Sequence, residues 1–498
     1  MGNGLLKDSI VFASSRYILL GFSLIRNFFV AKLLGPSDYG LWIIIGLILT
    51  YADQIHLGLR HAGDKEIPYF RGQGKAIESS RIANEIFGGV LSLSSLALLC
   101  LVVYAFFFTD LDHPALQYGV FLSAFIIVSD QVNRFYLMIL RTRHEFLISS
   151  KVEIAFELLR TILVSTLVVI FHFLGAMIGL FIASLATAVY FLSTYKNEFS
   201  PQFGFRSTMS LLSLGFPLSA TGLLYIFLLS LDRVIGAISF SKEDLGVYGM
   251  AGLIAQLPVT SSQGISSVIY PRISEQFGEG GHREQLKPLF EPAITGAAFI
   301  VPLLVATLFF VGRFLILWFL PAFRNSIDLL FLLSFGSFFL CLVPVPAALL
   351  MAAGRNVLYL RSEVFTLLTV GSLYFLLLLK RPFSTSVLAG IASFSFFLLA
   401  TLLLDHAFST LGIVRTERLK EIFKLYLPSV STGIALAIII YFLPLNLLNG
   451  VYQYFWQMLA SLGLYYLLYS PVLYVYNRKT GMITRVLHSL WTRGGKVL

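Results

Sequence analysis

The chain has 498 residues, of which 57% are hydrophobic and only 12% charged, with a mean hydropathy of +0.83 and a formal net charge of +10. So apolar a composition excludes a soluble globular domain, and the long unbroken apolar runs exclude a membrane β-barrel, whose strands would alternate. The positive balance is no mark of a nucleic-acid binder, because the cations are sorted by loop rather than gathered into a patch.

A bilayer-crossing helix needs about 20 mostly apolar residues, and about fourteen runs meet that standard. They lie near 8–34, 40–61, 82–108, 115–140, 147–172, 174–195, 210–237, 245–270, 288–311, 326–350, 357–379, 384–404, 425–445 and 452–476. The runs near 8–34, 147–172 and 210–237 carry charge inside them. No cleavable signal pattern precedes the first, so it is expected to be a permanent helix and its own insertion signal. With the N-terminus placed inside, about 25 of the 36 Lys and Arg fall in cytoplasmic connections, about 6 outside and about 5 within spans. This predicts a multi-pass protein of the plasma (inner) membrane with both termini cytoplasmic.

The first span holds Arg16 and Arg26, neither with an acid within a turn on its own helix. A charge near the bilayer centre costs about 3 kcal/mol on insertion scales and normally faces a bundle interior or a wet path. Ten residues of helix place the two about 15 Å apart along the axis and about 80° apart around it, so both can line one cavity at two depths. Left without a carboxylate, they are expected to receive an anion. The alternative is pairing with acids on neighbouring helices, Asp53 and Asp232 being the candidates. Arginine keeps its charge when buried and grips phosphate oxygens bidentately, so a diphosphate is the natural guest. Ser14, Ser15, Ser23, Asn27, Gln54, Asn84, Gln131 and Asn133 could supply polar walls for attached sugars, or simply glue helices.

Further along, Asp53, His56 and Arg60 read as a stripe down the second span toward the cytoplasm. Arg81 and Glu85 pair at the start of the third. Asp130 and Arg134, four apart, share a face of the fourth and are expected to neutralise each other. Glu153, Glu157 and Arg160 share a face of the fifth. With Glu157 matched to Arg160, Glu153 is the surplus acid and a candidate for ion coupling. Asp232 and Arg233 are adjacent and point apart. Cys100 and Cys341 read as buried packing residues. Prolines 217, 258, 302, 344 and 346 interrupt helical runs and predict bends. No Walker loop, no metal-ligand spacing and no room for a soluble catalytic domain appear, which argues against an enzyme. The stretches STLGIVRTERLKEIFK (409–424) and the basic tail are expected to lie on the inner membrane surface.

There is a loose internal repeat. AKLLGPSDYGLWIIIG follows Arg26 and IGAISFSKEDLGVYGMAG follows Arg233. Each copy runs from a basic residue through a Ser/Asp turn into a Gly-led helix, Gly40 to Gly46 and Gly246 to Gly252. Duplicated halves are common in transporters. The count fits two pseudo-symmetric six-helix lobes plus two C-terminal helices: an N-terminal lobe 1–208, a C-terminal lobe 209–404, an interfacial segment with the last two helices 405–476, and a basic cytoplasmic tail 477–498.

The stretches RNFFVAKLLGPSDYGLW (26–42) and LDRVIGAISFSKEDLGVYGMAGLIAQLP (231–258) resemble helix junctions of the polysaccharide and O-antigen flippases of the multidrug/oligosaccharidyl-lipid/polysaccharide (MOP) exporter superfamily. The resemblance implies an all-α, MATE-like membrane bundle that alternates between inward-open and outward-open states. Its implied cargo is a polyprenyl-diphosphate-linked oligosaccharide, moved outward for cell-surface polysaccharide assembly. It also implies that Arg16, Arg26 and Arg233, with Arg60 a looser match, hold the diphosphate. Asp53, Glu153, Asp232 and Asp130 are the candidates for ion or proton coupling. No cofactor is expected, and the driving force stays open among a proton gradient, a sodium gradient and the membrane potential. Expected partners are the lipid-linked oligosaccharide, membrane lipids and the polysaccharide polymerase machinery, with no nucleic acid. The rival expectations are a drug/cation antiporter of the same superfamily and a membrane enzyme acting on lipid-linked sugars.

Overall fold

The computed structural model describes residues 2–107, 114–196, 198–278, 283–380, 382–443 and 451–481. The tail beyond 481, the turn after Phe107 and the glycine-rich loop at 279–282 lie outside the described residues. The rest is helical: α1 (Gly2–Ala52), α2 (Leu59–Gly72), α3 (Ala76–Phe107), α4 (Pro114–Thr142), α5 (Phe146–Thr194), α6 (Phe205–Ser239), α7 (Lys242–Ala255), α8 (Leu257–Gly278), α9 (Arg283–Phe319), α10 (Ser326–Cys341), α11 (Pro344–Ala352), α12 (Asn356–Leu379), α13 (Thr385–Thr410), α14 (Arg415–Phe442) and α15 (Val451–Thr480). Among the described residues, eleven helices are long and apolar enough to cross a membrane.

Two of these are bent into two legs each. In α1 the bend is Gly35, at φ 70°, followed by Pro36. Glycine reaches positive φ without a Cβ clash, and proline cannot continue the hydrogen-bond ladder. The legs fold together, and Trp42 Nε1 donates to Asn27 Oδ1 at 3.0 Å. In α5 the bend is His172, at φ 51°, and a side chain on Gly179 would meet the Val164 backbone at 2.8 Å. With both legs counted separately, and with α7–α8 and α10–α11 each taken as one broken segment, α1 and α3–α15 supply fourteen helical segments, as many as the expected passes. Pro258 and Pro344 stand at the breaks in those two pairs.

Two expectations need correction. The second span does not continue to 61: α1 ends at Ala52, a 3-10 turn follows over Asp53–His56, and Leu57 and Gly58 take left-handed conformations. Asp53, His56 and Arg60 are therefore not a stripe on one helix. Nor is 409–424 a separate surface helix. It is the end of α13, a short turn, and the first turns of α14. Of the cysteines, Cys341 is buried as expected, whereas Cys100 is exposed on α3.

The chain forms two compact units, residues 1–246 and 247–498. The helix α6, expected to open a second lobe at 209, packs against α2 in the first unit. In that unit the first leg of α5 lies against α1, with α4, α3 and α2 following. An aromatic core locks α3, α4 and α5 together: Phe87 stacks on Phe135 at 4.5 Å and Tyr136 on Phe191 at 5.2 Å. The two copies of the sequence repeat touch reciprocally. A Cβ on Gly40 would strike the Lys242 carbonyl, and one on Gly246 would strike the Pro36 carbonyl. In the repeat's own alignment, position 36 matches 242 and 40 matches 246, so the same contact is made twice. In the second unit, α10 and α11 form a buried centre packed on α13. The Tyr465 and Tyr469 hydroxyls tie α15 to the Pro302 and Phe299 carbonyls of α9, at 3.1 and 3.0 Å.

Gly58 carries both kinds of glycine demand: φ is 102°, and an added Cβ would collide with the Gly215 backbone of α6. Gly58→Ala is expected to cost about 2–3 kcal/mol, read as a lower thermal unfolding midpoint in detergent, while Gly21→Ala, with open space around it, should be near neutral.

Candidate functional site

The first unit carries a ladder of ion pairs inside its apolar helices. Arg16 reaches Glu153 at 3.3 Å, with the arginine side chain 46% exposed and the glutamate 13%. Arg26, nearly buried, pairs with Glu157 and also donates to Ser23 at 3.3 Å. Glu157 is shared with Arg160 at 3.7 Å. Arg160 in turn reaches Asp130 at 3.2 Å, and Ser184 donates to the same carboxylate. One turn further along α4, Arg134 meets Asp53 at 2.8 Å, and Asp53 also holds Arg60 at 2.8 Å. Apart from these, Asp232 on α6 accepts the Arg233 backbone N–H at 2.8 Å and lies 3.8 Å from its guanidinium.

This geometry overturns the expectation of partnerless arginines. Arg16 and Arg26 are each held by a carboxylate, and the partners are Glu153 and Glu157 of α5 rather than Asp53 or Asp232. The cause is packing: the α1–α5 contact is extensive, and it puts the acidic face of α5 under the basic residues of α1. Glu153 is therefore not surplus. The Asp130–Arg134 pair does not form either. Although four apart, each finds a better partner across a helix interface, Asp130 in Arg160 and Arg134 in Asp53. Asp232 and Arg233 do interact despite being adjacent, through the backbone as much as the side chain. The Arg81–Glu85 pair forms as expected, at 3.8 Å.

Arg26 and Asp130 thus belong to one chain of contacts through Glu157 and Arg160, while Arg16–Glu153 and Asp53 with Arg60 and Arg134 form separate clusters on the same helices. Arg233 and Asp232 are linked to α1 by the Tyr51–Ser230 hydrogen bond at 2.7 Å. Several expected wall residues prove to be glue. Asn133 Nδ2 donates to the Ser184 carbonyl at 3.1 Å, Gln131 Nε2 to the Ala52 carbonyl at 2.9 Å, and Asn84 accepts from the Ser200 amide at 3.1 Å. Glu157, Arg160 and Arg134 matter more than the sequence suggested, because spacing on one helix says nothing of partners on another. In the second unit, Glu363 of α12 is fully buried, with the Tyr359 side chain one turn earlier as its hydrogen-bonding neighbour. Its sequence signal was an acid set within a run of apolar residues at 357–379.

Outside the spans, the His61 imidazole on α2 is held below its ordinary value of 6.5, chiefly by burial and further by Arg60 and Arg141, against the pull of Asp64 and Asp53. The folded chain therefore binds this proton less readily than the unfolded chain. The sign follows: stability falls as pH drops through about 6.5 toward the depressed value. His61→Gln is expected to flatten that acid limb of a melting-temperature profile and to leave the alkaline side unchanged.

A family model described as "Polysaccharide biosynthesis protein" matches residues 5–277. No curated relative matches the sequence. Among solved structures, the chain is similar to the lipid II flippase MurJ in an inward closed conformation, at 15% identity over 94% of this chain and 99% of that one, with a TM-score of 0.72. It is also similar to an inward-facing multidrug-resistance MATE transporter of the MOP superfamily, at 15% identity over 81% of this chain and 98% of that one, with a TM-score of 0.61. A MOP-superfamily transporter from Pyrococcus furiosus matches at 15% identity over 82% of this chain and 96% of that one, with a TM-score of 0.57. At such identities the likeness concerns the fold.

Proposed function

The chain belongs to the polysaccharide biosynthesis protein family, and from that premise we propose that it is a flippase for a polyprenyl-diphosphate-linked oligosaccharide. In this reading it moves the lipid from the inner to the outer leaflet of the plasma (inner) membrane, for cell-surface polysaccharide of the O-antigen kind, and hands it to the polymerase machinery. The cargo's diphosphate binds Arg16 and Arg26 first, with Arg233 and Arg60 as further contacts, and the cluster is exposed alternately to the two sides. A proton gradient, a sodium gradient or the membrane potential drives the exchange. No bond in the cargo is made or broken.

One observation carries the reading. Along the ion pairs of the first unit, six arginines (16, 26, 60, 134, 160 and 233) face five carboxylates (53, 130, 153, 157 and 232), Arg60 standing on α2 outside the spans and sharing Asp53 with Arg134. The excess is positive, and the half-exposed Arg16 and Arg134 side chains offer it to a ligand. A cationic surplus of this kind suits a diphosphate and repels a cationic drug.

The antiporter reading keeps one support, the likeness to MATE transporters together with the acids on α5. A flip assay in proteoliposomes separates the two. Saturating polyprenyl diphosphate should be translocated chemically unchanged, and a cationic dye should not compete. Dye transport blocked by protons or sodium, with no lipid movement, would favour the antiporter; an altered lipid product would favour an enzyme.

A further inference from the structure

On α5, Glu153 and Glu157 stand one turn apart, so they share a face with about 6 Å between them along the axis. On α1, Arg16 and Arg26 stand about 15 Å apart along the axis. Yet both guanidiniums end on those two acids. The glutamate pair draws together two cations whose backbone positions are more than twice as far apart. Together the two carboxylates offer the arginines two negative charges and four acceptor oxygens, the same kind of partner that a diphosphate offers.

We infer that Glu153 and Glu157 are an internal stand-in for the diphosphate: they occupy Arg16 and Arg26 while the site is empty, give way to the cargo's head group, and later displace it. This rests on the reading of the arginines as a diphosphate site. The exchange is feasible for each acid for a different reason. Glu157 keeps Arg160, 3.7 Å away, when Arg26 turns to the cargo. Arg16 is half exposed, so it can swing to a ligand with little rearrangement of the core. A transport site must bind strongly enough to load and weakly enough to unload. Uncontested arginines would hold a diphosphate too long, and a resident dianion lowers the net affinity by the cost of breaking its own pairs.

The test measures binding of inorganic pyrophosphate to the purified full-length chain in nanodiscs, alongside export in cells. Glu153→Gln and Glu157→Gln are each expected to bind pyrophosphate about fivefold more tightly than the unaltered protein, the factor that ~1 kcal/mol represents, while export falls. Arg16→Ala should bind more weakly. A merely structural role for the acids would not tighten binding. Arginine-dependent binding that both glutamine variants leave unchanged or weaken overturns the inference and leaves the diphosphate site standing. Pyrophosphate binding that ignores Arg16 overturns the diphosphate reading and the inference with it. Glu153→Gln decides the matter alone should Glu157→Gln fail to fold, because the Arg16–Glu153 pair is half exposed.

Discussion

An Arg16→Ala/Arg26→Ala double variant is expected to lower export of lipid-linked oligosaccharide by about a hundredfold or more, with the protein still inserted and folded. Two charge-assisted hydrogen-bonding groups are lost, each worth about 1.5–3 kcal/mol in an environment that excludes water. Folding survives because of where their partners stand. Glu157 retains Arg160, and Glu153 loses a contact whose arginine side is half exposed. Arg26→Lys separates charge from shape: a lysine keeps the ion pair but cannot offer the planar fork, so it should restore folding fully and export only in part. The measurement is surface polysaccharide per unit of membrane-inserted protein. Full export by the double variant would remove these arginines from the mechanism.

Arg160→Ala should act in the opposite sense, on the fold. Arg160 bridges Glu157 and Asp130. Its loss strands Asp130 beside Ser184 and leaves Glu157 with Arg26 alone. Removing one member of a largely buried ionic network costs about 3 kcal/mol, because a carboxylate is left without compensation. The unfolding midpoint in detergent should fall sharply, and expression with it. An Arg160→Ala/Asp130→Asn double variant should recover most of the loss, since the stranded charge is then gone. A double variant no better than the single would show that Arg160 supports the fold by packing rather than by charge.

The contrast between these two variants follows from positions that no single stretch of chain reveals. Arg26 and Arg160 look alike in sequence: each is an arginine in an apolar run. They differ because Glu157 lies between them, shared. Likewise Asp130 and Arg134 have the spacing of an intrahelical pair and ignore each other, since Arg160 and Asp53 arrive from neighbouring elements at 3.2 and 2.8 Å. The turn at Gly58 was hidden for another reason. Besides its left-handed geometry, that glycine is demanded by the close approach of Gly215 on α6, a contact between residues more than a hundred apart in the chain.

What the sequence determined by itself is what local physics controls. Unbroken apolar length compels helices across a bilayer, because lipid offers backbone groups no other partner. Gly35–Pro36 compels a bend, and the Gly40 and Gly246 repeat marks two surfaces that admit only bare backbone. The presence of arginine in those helices made a buried ionic site inevitable. Which carboxylate each arginine meets was decided by the tertiary structure alone. An ion pair depends on separation in space, and helix packing, not spacing along the chain, brought the acids of α5 to the arginines of α1.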